Sequence, residues 1–494
     1  MKTIVFIIWA ISLVLLNCTH TDFGGFENNT DIGKIYLQGL VQFDSETKQY
    51  RITGSGENIW GTEDAFHFLW REFSGDLKLS ANIAWLGTDA HEHRKAGLMI
   101  RQSLAPDAVY VNAVVHGNGL ISLQYRDRKG CTTHEFQTPV KTPASIRLER
   151  DGDLFTLSVA KINGVFQPAG VMTITFTNPV YAGLTVCAHD STTQETAIFS
   201  QIRLENPGVI PDSLRVLEST LEIVEVATGE RQIIHRVKEH IEAPNWAPNG
   251  KTLVYNSRGI LYSIPVTGGT PNLIHSGIAD QCNNDHGFSP DGKWIALSHN
   301  TSDKGSLIYI IPSTGGDPRL ITKQGPSYWH GWSPNGKTLA YCAQRNGEYD
   351  IYTIHVKGGQ EKRLTTTAGL DDGPDYSPDG KYIYINSERT GLMKIWRMRA
   401  NGEQQEQVTF DNDYADWFPH PSPDGKWLVF LSYDKSVKGH PPNKKVVLRI
   451  KPGSGGEPKI LTHLFGGQGT INVPSWSPDS KKVAFVSYRF VADH

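Results

Sequence analysis

In the second half of the chain, apolar and polar residues alternate in short runs. Lys381-Tyr-Ile-Tyr-Ile385 and Lys426-Trp-Leu-Val-Phe430 have the two-residue period of a strand with one face buried. Each run follows a turn phrase of the form aromatic-Ser-Pro-Asp/Asn-Gly-Lys, seen as Phe288 to Lys293, Trp332 to Lys337 and Tyr376 to Lys381. Weaker copies are Trp246 to Lys251, Pro421 to Lys426 and Trp476 to Lys481. The Ser position of the six phrases falls at 247, 289, 333, 377, 422 and 477, in steps of 42, 44, 44, 45 and 55 residues. Pro fixes φ and Gly supplies the positive φ of a tight turn, so each phrase predicts a hairpin. A third strand follows, as in Asp350 to His355, then a Gly-Gly or Asn-Gly turn and a fourth strand, as in Arg363-Leu364-Thr365. Four antiparallel strands per unit at this spacing predict propeller blades.

Counting half-blades predicts how the ring closes. The last copy, Lys482 to Ser487, has no third and fourth strands after it, while a spare pair precedes the first phrase. That pair is Leu221 to Val226 and Arg231 to His235, joined at Thr228-Gly229. These amino-proximal strands are expected to complete a sixth blade and leave no open edge. The phrases resemble the repeats of TolB-type six-bladed propellers over roughly residues 215 to 490. Such propellers serve as binding platforms, peptidase gates and, occasionally, enzymes, so the resemblance implies a fold more than an activity.

Residues 23 to 207 read differently. About a dozen short alternating segments, from Lys34 to Arg203, are punctuated by Gly, Asp and Asn with no long helical period, which predicts a β-sandwich. The passages Asn58 to Trp70 and Lys95-Ala-Gly-Leu-Met-Ile-Arg101 resemble concanavalin A-like jelly-roll domains of secreted bacterial proteins. That resemblance implies a sandwich whose concave face holds sugar. Residues 208–214 are expected to be a linker before a propeller of residues 215–494, since Pro207 and Pro211 interrupt strand pairing there.

At the amino terminus, Lys2 precedes an uncharged apolar run from Ile4 to Leu16, a length suited to a signal-peptide core and short for a membrane span. Leu15-Leu16-Asn17-Cys18 resembles a bacterial lipobox, which implies residues 1–18 as a lipoprotein signal and Cys18 as the lipidated residue. Plain secretion and a retained anchor are the alternatives. The expected location is therefore outside the cytoplasm, at the periplasm, outer membrane or cell surface, with membrane contact only through the lipid.

Composition sharpens the function classes. The 48 basic and 51 acidic residues among 494 leave a net charge near −3, without the basic surplus of a nucleic-acid binder. The 48 Gly, 27 Pro and 12 Trp agree with turns and strands. Five Cys without a C-x-x-C pair make a Cys-based metal site unexpected, and their pairing stays open. There is no G-x-S-x-G nucleophile elbow and no phosphate-binding Gly loop, which argues against serine-hydrolase and nucleotide chemistry.

Candidate chemistry gathers at the propeller channel. The residue three before the Ser position is Pro244, Pro374, Pro419 or Pro474 in four blades, but His286 and His330 in two, and His420 lies one place later in blade five. Three imidazoles converging with Asp285 or Asp416 would bind a polar ligand or a divalent metal, the one cofactor the sequence raises, or serve acid/base chemistry. The alternative is that each His bonds a carbonyl or water. Trp329 and Trp417 are candidates for stacking on a sugar, with blade packing as the alternative. Oligogalacturonate lyases, propellers of this wider group, imply a His-rich metal site in the channel, but they pair His closely in one loop where this chain has only His420. On the sandwich, Trp60, His67 and Arg101 are the candidate sugar contacts and Trp70 is expected in the core. His91-Glu92-His93 suits either a metal cluster or an exposed loop.

The expected whole is an exported all-β protein, a jelly-roll β-sandwich followed by a six-bladed propeller, binding glycan on the first and an envelope protein or ligand on the second. The catalytic residues are unknown at this level. A metal-dependent polysaccharide lyase or glycosidase working in the channel, and a structural envelope scaffold, are the alternatives.

Overall fold

The structure is a computed structural model that describes residues 22–87, 91–142 and 144–493. The signal-peptide and Cys18 expectations lie outside these residues. Among the described residues, strands form nearly all regular structure, with two short 3-10 turns at 212–214 and 468–470.

The amino-terminal half is two seven-stranded antiparallel sheets. One orders the strands 28–32, 66–73, 180–187, 95–101, 110–116, 120–126 and 134–141; the other orders 167–173, 154–161, 144–151, 76–85, 190–208, 49–56 and 40–44. Leu98, Ile100 and Val111 of the first sheet share one core with Leu77, Leu79 and Ile146 of the second. Strand 95–101 is buried on both faces: Ala96, Leu98 and Ile100 point to the shared core, while Met99 joins Phe66, Phe68, Tyr110 and Ile59 in a second cluster on the outer face. Trp70 packs half-buried against that outer cluster, edge-on to Tyr181 at 5.0 Å, so its packing role holds on the face away from the main core.

The carboxyl-terminal half is a six-bladed propeller. Five blades are four-stranded sheets beginning at strands 242–246, 282–288, 327–332, 371–376 and 414–421. The sixth joins strand 482–492 to 215–225 and then 231–237, with a single bridge from Trp476 to Val483 inside. Register runs unbroken from Arg215 opposite Ala492 to Glu225 opposite Lys482, the closure that the half-blade count predicts. Both strands bury apolar faces, with Leu221, Val486 and Ala484 in one cluster and Val224, Val483 and Phe485 in another, so closing the ring removes an edge and fills two cores together.

The turn phrase has a physical cause. In the five blades that carry Ser, its Oγ donates to the side-chain oxygen of the Asp or Asn two residues on at 2.6–2.8 Å. The same Oγ accepts the N–H of the next strand's first residue at 2.9–3.0 Å. Blade one has Ala247 instead and keeps only the Asn249 bond to the Lys251 N–H. In blade six Ser480 takes the turn glycine's place at φ 61°, and its Oγ accepts the N–H of Asp424 from blade five's turn.

The two halves touch. Arg215 is gripped by Asp76 and Asp151, and the Phe136 ring stacks on His463 at 3.7 Å.

Candidate functional site

The innermost strands of the five four-stranded blades each carry a β-bulge at a similar place. Register slips between Glu242 and Asn245, Cys282 and His286, Trp329 and Gly331, Asp372 and Asp375, and Trp417 and His420. A bulge puts two residues opposite one and breaks the simple in-out alternation. The residues aimed into the channel are therefore mostly those five before the Ser position. Glu242, Asn284, Tyr328, Asp372 and Asn472 all line a cavity of about 590 Å³ at the channel mouth, and the sixth member of that column, Trp417, does not. Asp285 and His330 join them, with Tyr349, Phe418 and His440 completing much of the wall.

Charge within the cavity is arranged around His330. Its Nε2 lies 3.2 Å from Asp372 Oδ1 and 4.0 Å from Asp285 Oδ1. Burial opposes a charge on this ring, but the two carboxylates outweigh it and lift the pKa to about 9, so His330 is an imidazolium at neutral pH. Asp285 accepts a 2.6 Å hydrogen bond from Asn472 Nδ2. Burial raises Asp285 to about 6 against the pull of His330, while at Asp372 the His330 charge prevails over burial and holds the carboxyl below its ordinary range. Glu242 is pushed up to about 7, first by burial and then by the charge of Asp285.

The structure does not bring the three channel histidines together. His420 is buried between Asp375 Oδ2, 3.1 Å from Nδ1, and the carbonyl of Ile471, to which Nε2 donates at 3.0 Å. It fastens three blades, because the bulge turns it away from the cavity. His286 is fully buried, and burial drives its pKa to about 4 against a weak backbone contact with Val254. Asp416 lies apart from the cavity lining, bonded to Ser432 Oγ at 2.6 Å and Arg449 Nη1 at 3.2 Å. Trp329 and Trp417 are core residues between blades, 1% and 2% exposed, rather than stacking platforms. Of the predicted channel set, only His330 and Asp285 meet in the cavity.

The predicted sugar contacts are also separate. Trp60 is exposed, with the Lys95 ammonium 5.2 Å from its ring centroid. His67 is buried beside Asp31, Nδ1 to Oδ1 2.7 Å. Arg101 is fully buried, its Nε donating to the Ser103 carbonyl at 2.6 Å and its guanidinium over the Phe66 ring. His91 and His93 sit on an exposed loop with His189 close by, His91 and His189 having ring centroids 4.4 Å apart. Among the described residues no group of three or more His, Cys, Asp or Glu is arranged to hold a metal ion. The four described cysteines are unbridged.

Residues 330–463 match the family described as the TolB beta propeller domain. Over 273 residues the chain is 49% identical to the uncharacterized protein Atu1656 of Agrobacterium fabrum strain C58, covering 55% of this chain and 93% of that protein. The chain belongs to the TolB-like β-propeller family. A solved TolB structure from Agrobacterium tumefaciens is 49% identical, covers 56% of this chain and 99% of that one, and superposes with a TM-score of 0.54. TolB from Acinetobacter baumannii is 17% identical over 63% of this chain and 80% of its own, with a TM-score of 0.38. The cavity at the channel mouth is built wholly from the TolB-like propeller.

Proposed function

We propose that this chain is an exported binding protein whose TolB-like propeller takes a small polar ligand, or a polar segment of an envelope protein, at the channel mouth. The observation that carries this reading is the cavity of about 590 Å³ at which five of six blades each present a polar or charged side chain. Concave, partly enclosed and lined by donors and acceptors, it is shaped to hold and orient a ligand; the Cys342 thiol in its wall donates to the Asp371 carbonyl at 3.4 Å, and burial holds its pKa well above the ordinary thiol range. The lyase alternative rested on three imidazoles, of which this cavity receives one. The test is a ligand screen by thermal shift on the full chain and on Asn284→Trp, which fills the mouth. Ligands that stabilise the first and not the second support the reading; a screen of polar metabolites and envelope peptides without a single such difference counts against it.

A second site belongs to the same reading, with the amino-terminal half taken as a concanavalin A-like jelly roll of residues 23–207 joined by 208–214 to the propeller. Asn112, Gln124 and Thr185 project from one face of the first sheet, and Asn112 Nδ2 and Oδ1, Gln124 Oε1 and Thr185 Oγ1 are buried without partners. Unpaired buried polar atoms are costly and call for a bound hydroxylated molecule or water. These three residues are 0–1% exposed, so a sugar would reach them only through an opening of the outer face, and Trp60 is the exposed member of the set predicted from sequence. A glycan array probed with the full chain and with Asn112→Ala tests this, and no binding by either would remove the glycan reading. Relatives described as TolB support an envelope setting, with export and lipidation at Cys18 as the proposed route.

A further inference from the structure

The cavity at the propeller mouth holds acceptors that nothing in the protein satisfies. The Glu242 side chain, from the innermost strand of blade one, takes part in no hydrogen bond among the described residues, and its one ion-pair partner is the His240 imidazole at 4.0 Å. Asn472 is 1% exposed; its Nδ2 is committed to Asp285, so its amide orientation is fixed and the unpartnered Oδ1 faces away from that carboxylate. No Lys or Arg lines the cavity, and the single firm cation, His330, already sits between Asp285 and Asp372. Three carboxyl groups therefore share one resident positive charge. The remaining wall offers the aromatic rings of Tyr328, Tyr349 and Phe418, whose faces attract cations.

The geometry points to a small molecule bearing a primary ammonium group as the ligand of this cavity, with the ammonium set against the Glu242 carboxylate and the Asn472 amide oxygen. The assignment rests on reading the mouth as a binding site and names the chemistry that site selects. A primary ammonium has three N–H donors and no acceptor, the complement of a carboxylate plus an amide oxygen in an aromatic-walled site. A neutral polyol would satisfy the hydrogen bonds but leave the Glu242 charge without a counter-ion in a partly dehydrated place, which is unfavourable. A bound divalent metal would need several converging ligand atoms, and no such group is arranged among the described residues.

Isothermal titration of the full chain with matched probes tests the assignment: glucosamine against glucose, and 1,5-diaminopentane against 1,5-pentanediol. The expected result is that an aminated probe binds at least about tenfold more tightly than its hydroxyl counterpart, and that Glu242→Gln abolishes that preference while Glu242→Asp keeps part of it. Glu242→Gln is nearly isosteric and relieves a buried carboxyl, so it is expected to melt no lower than wild type. Equal binding of both members of each pair, or an unchanged preference in Glu242→Gln, overturns the assignment. Failure of every probe to bind overturns it as well. In each case the mouth remains testable as a site through the screen with Asn284→Trp, so the two ideas fail separately.

Discussion

Asn472 donates a 2.6 Å hydrogen bond to Asp285 across 187 residues of chain, tying the last loop before blade six to the inner strand of blade two. Asn472→Leu leaves Asp285 buried with only His330 and the Asn283 side chain to stabilise its charge. We expect a loss of about 1–3 kcal/mol, the usual cost of stranding a buried polar partner. Urea denaturation followed by fluorescence reads it, and an unshifted midpoint would mean that the bond contributes nothing net.

Glu242 makes the protein less stable as pH rises. Its folded pKa of about 7 lies above the ordinary 4.5, so the folded state holds the proton that the unfolded chain releases first. Wild-type stability is therefore expected to fall between about pH 4.5 and 7, under a carboxyl faced by Asp285, His240 and Tyr488. Glu242→Gln lacks this penalty and should gain on the order of 2 kcal/mol over wild type at pH 8 relative to pH 4.5. Parallel pH-dependent melts of the two proteins would contradict the assignment.

Blade one lacks the hydroxyl that the other turns use. Ala247→Ser is expected to supply the donor to Asn249 and the acceptor for the Thr252 N–H, raising stability by about 0.5–1 kcal/mol. Ser377→Ala should lose a similar amount or more, since it removes both bonds of Ser377. Differential scanning calorimetry of the pair checks the sign of each.

Arg101 holds structure. Arg101→Ala strips the Asp64 carboxylate of one buried cation at 3.7 Å and empties a fully buried volume, so it should cost about 3 kcal/mol or more. Trp60→Ala, at an exposed position, should stay within about 0.5 kcal/mol of wild type. A glycan-binding loss in Arg101→Ala with an unchanged melting temperature would restore Arg101 as a contact residue.

The repeats made the propeller and its closure legible, because Ser-Pro-Asp-Gly turns are local and their spacing survives without any knowledge of packing. The cavity was harder to read. Counting three residues back from each Ser found His330 but also His286, with His420 taken one place later, since that offset assumes an unbroken strand. The bulge in the inner strands of five blades shifts the parity, and the informative column lay two residues further back, where Glu242, Asn284, Tyr328, Asp372 and Asn472 are all polar. On the first sheet, Asn112, Gln124 and Thr185 escaped notice because isolated polar residues in strands carry no motif. Arg101 and His67 drew attention for their chemistry although burial commits them to Ser103 and Asp31.

The seam of the ring has a mechanical consequence. Arg215, the first residue of the closing strand, is clasped by Asp76 and Asp151 of the amino-terminal sheets, and its strand runs antiparallel to 482–492 through eleven register pairs. Because Arg215 stands opposite Ala492, tension between the two ends of the chain would enter the seam at one and the same end of the pair and part it one register pair at a time, as a zipper opens. The seam is therefore where the ring should open first under such a load, before the four-stranded blades lose their own pairing.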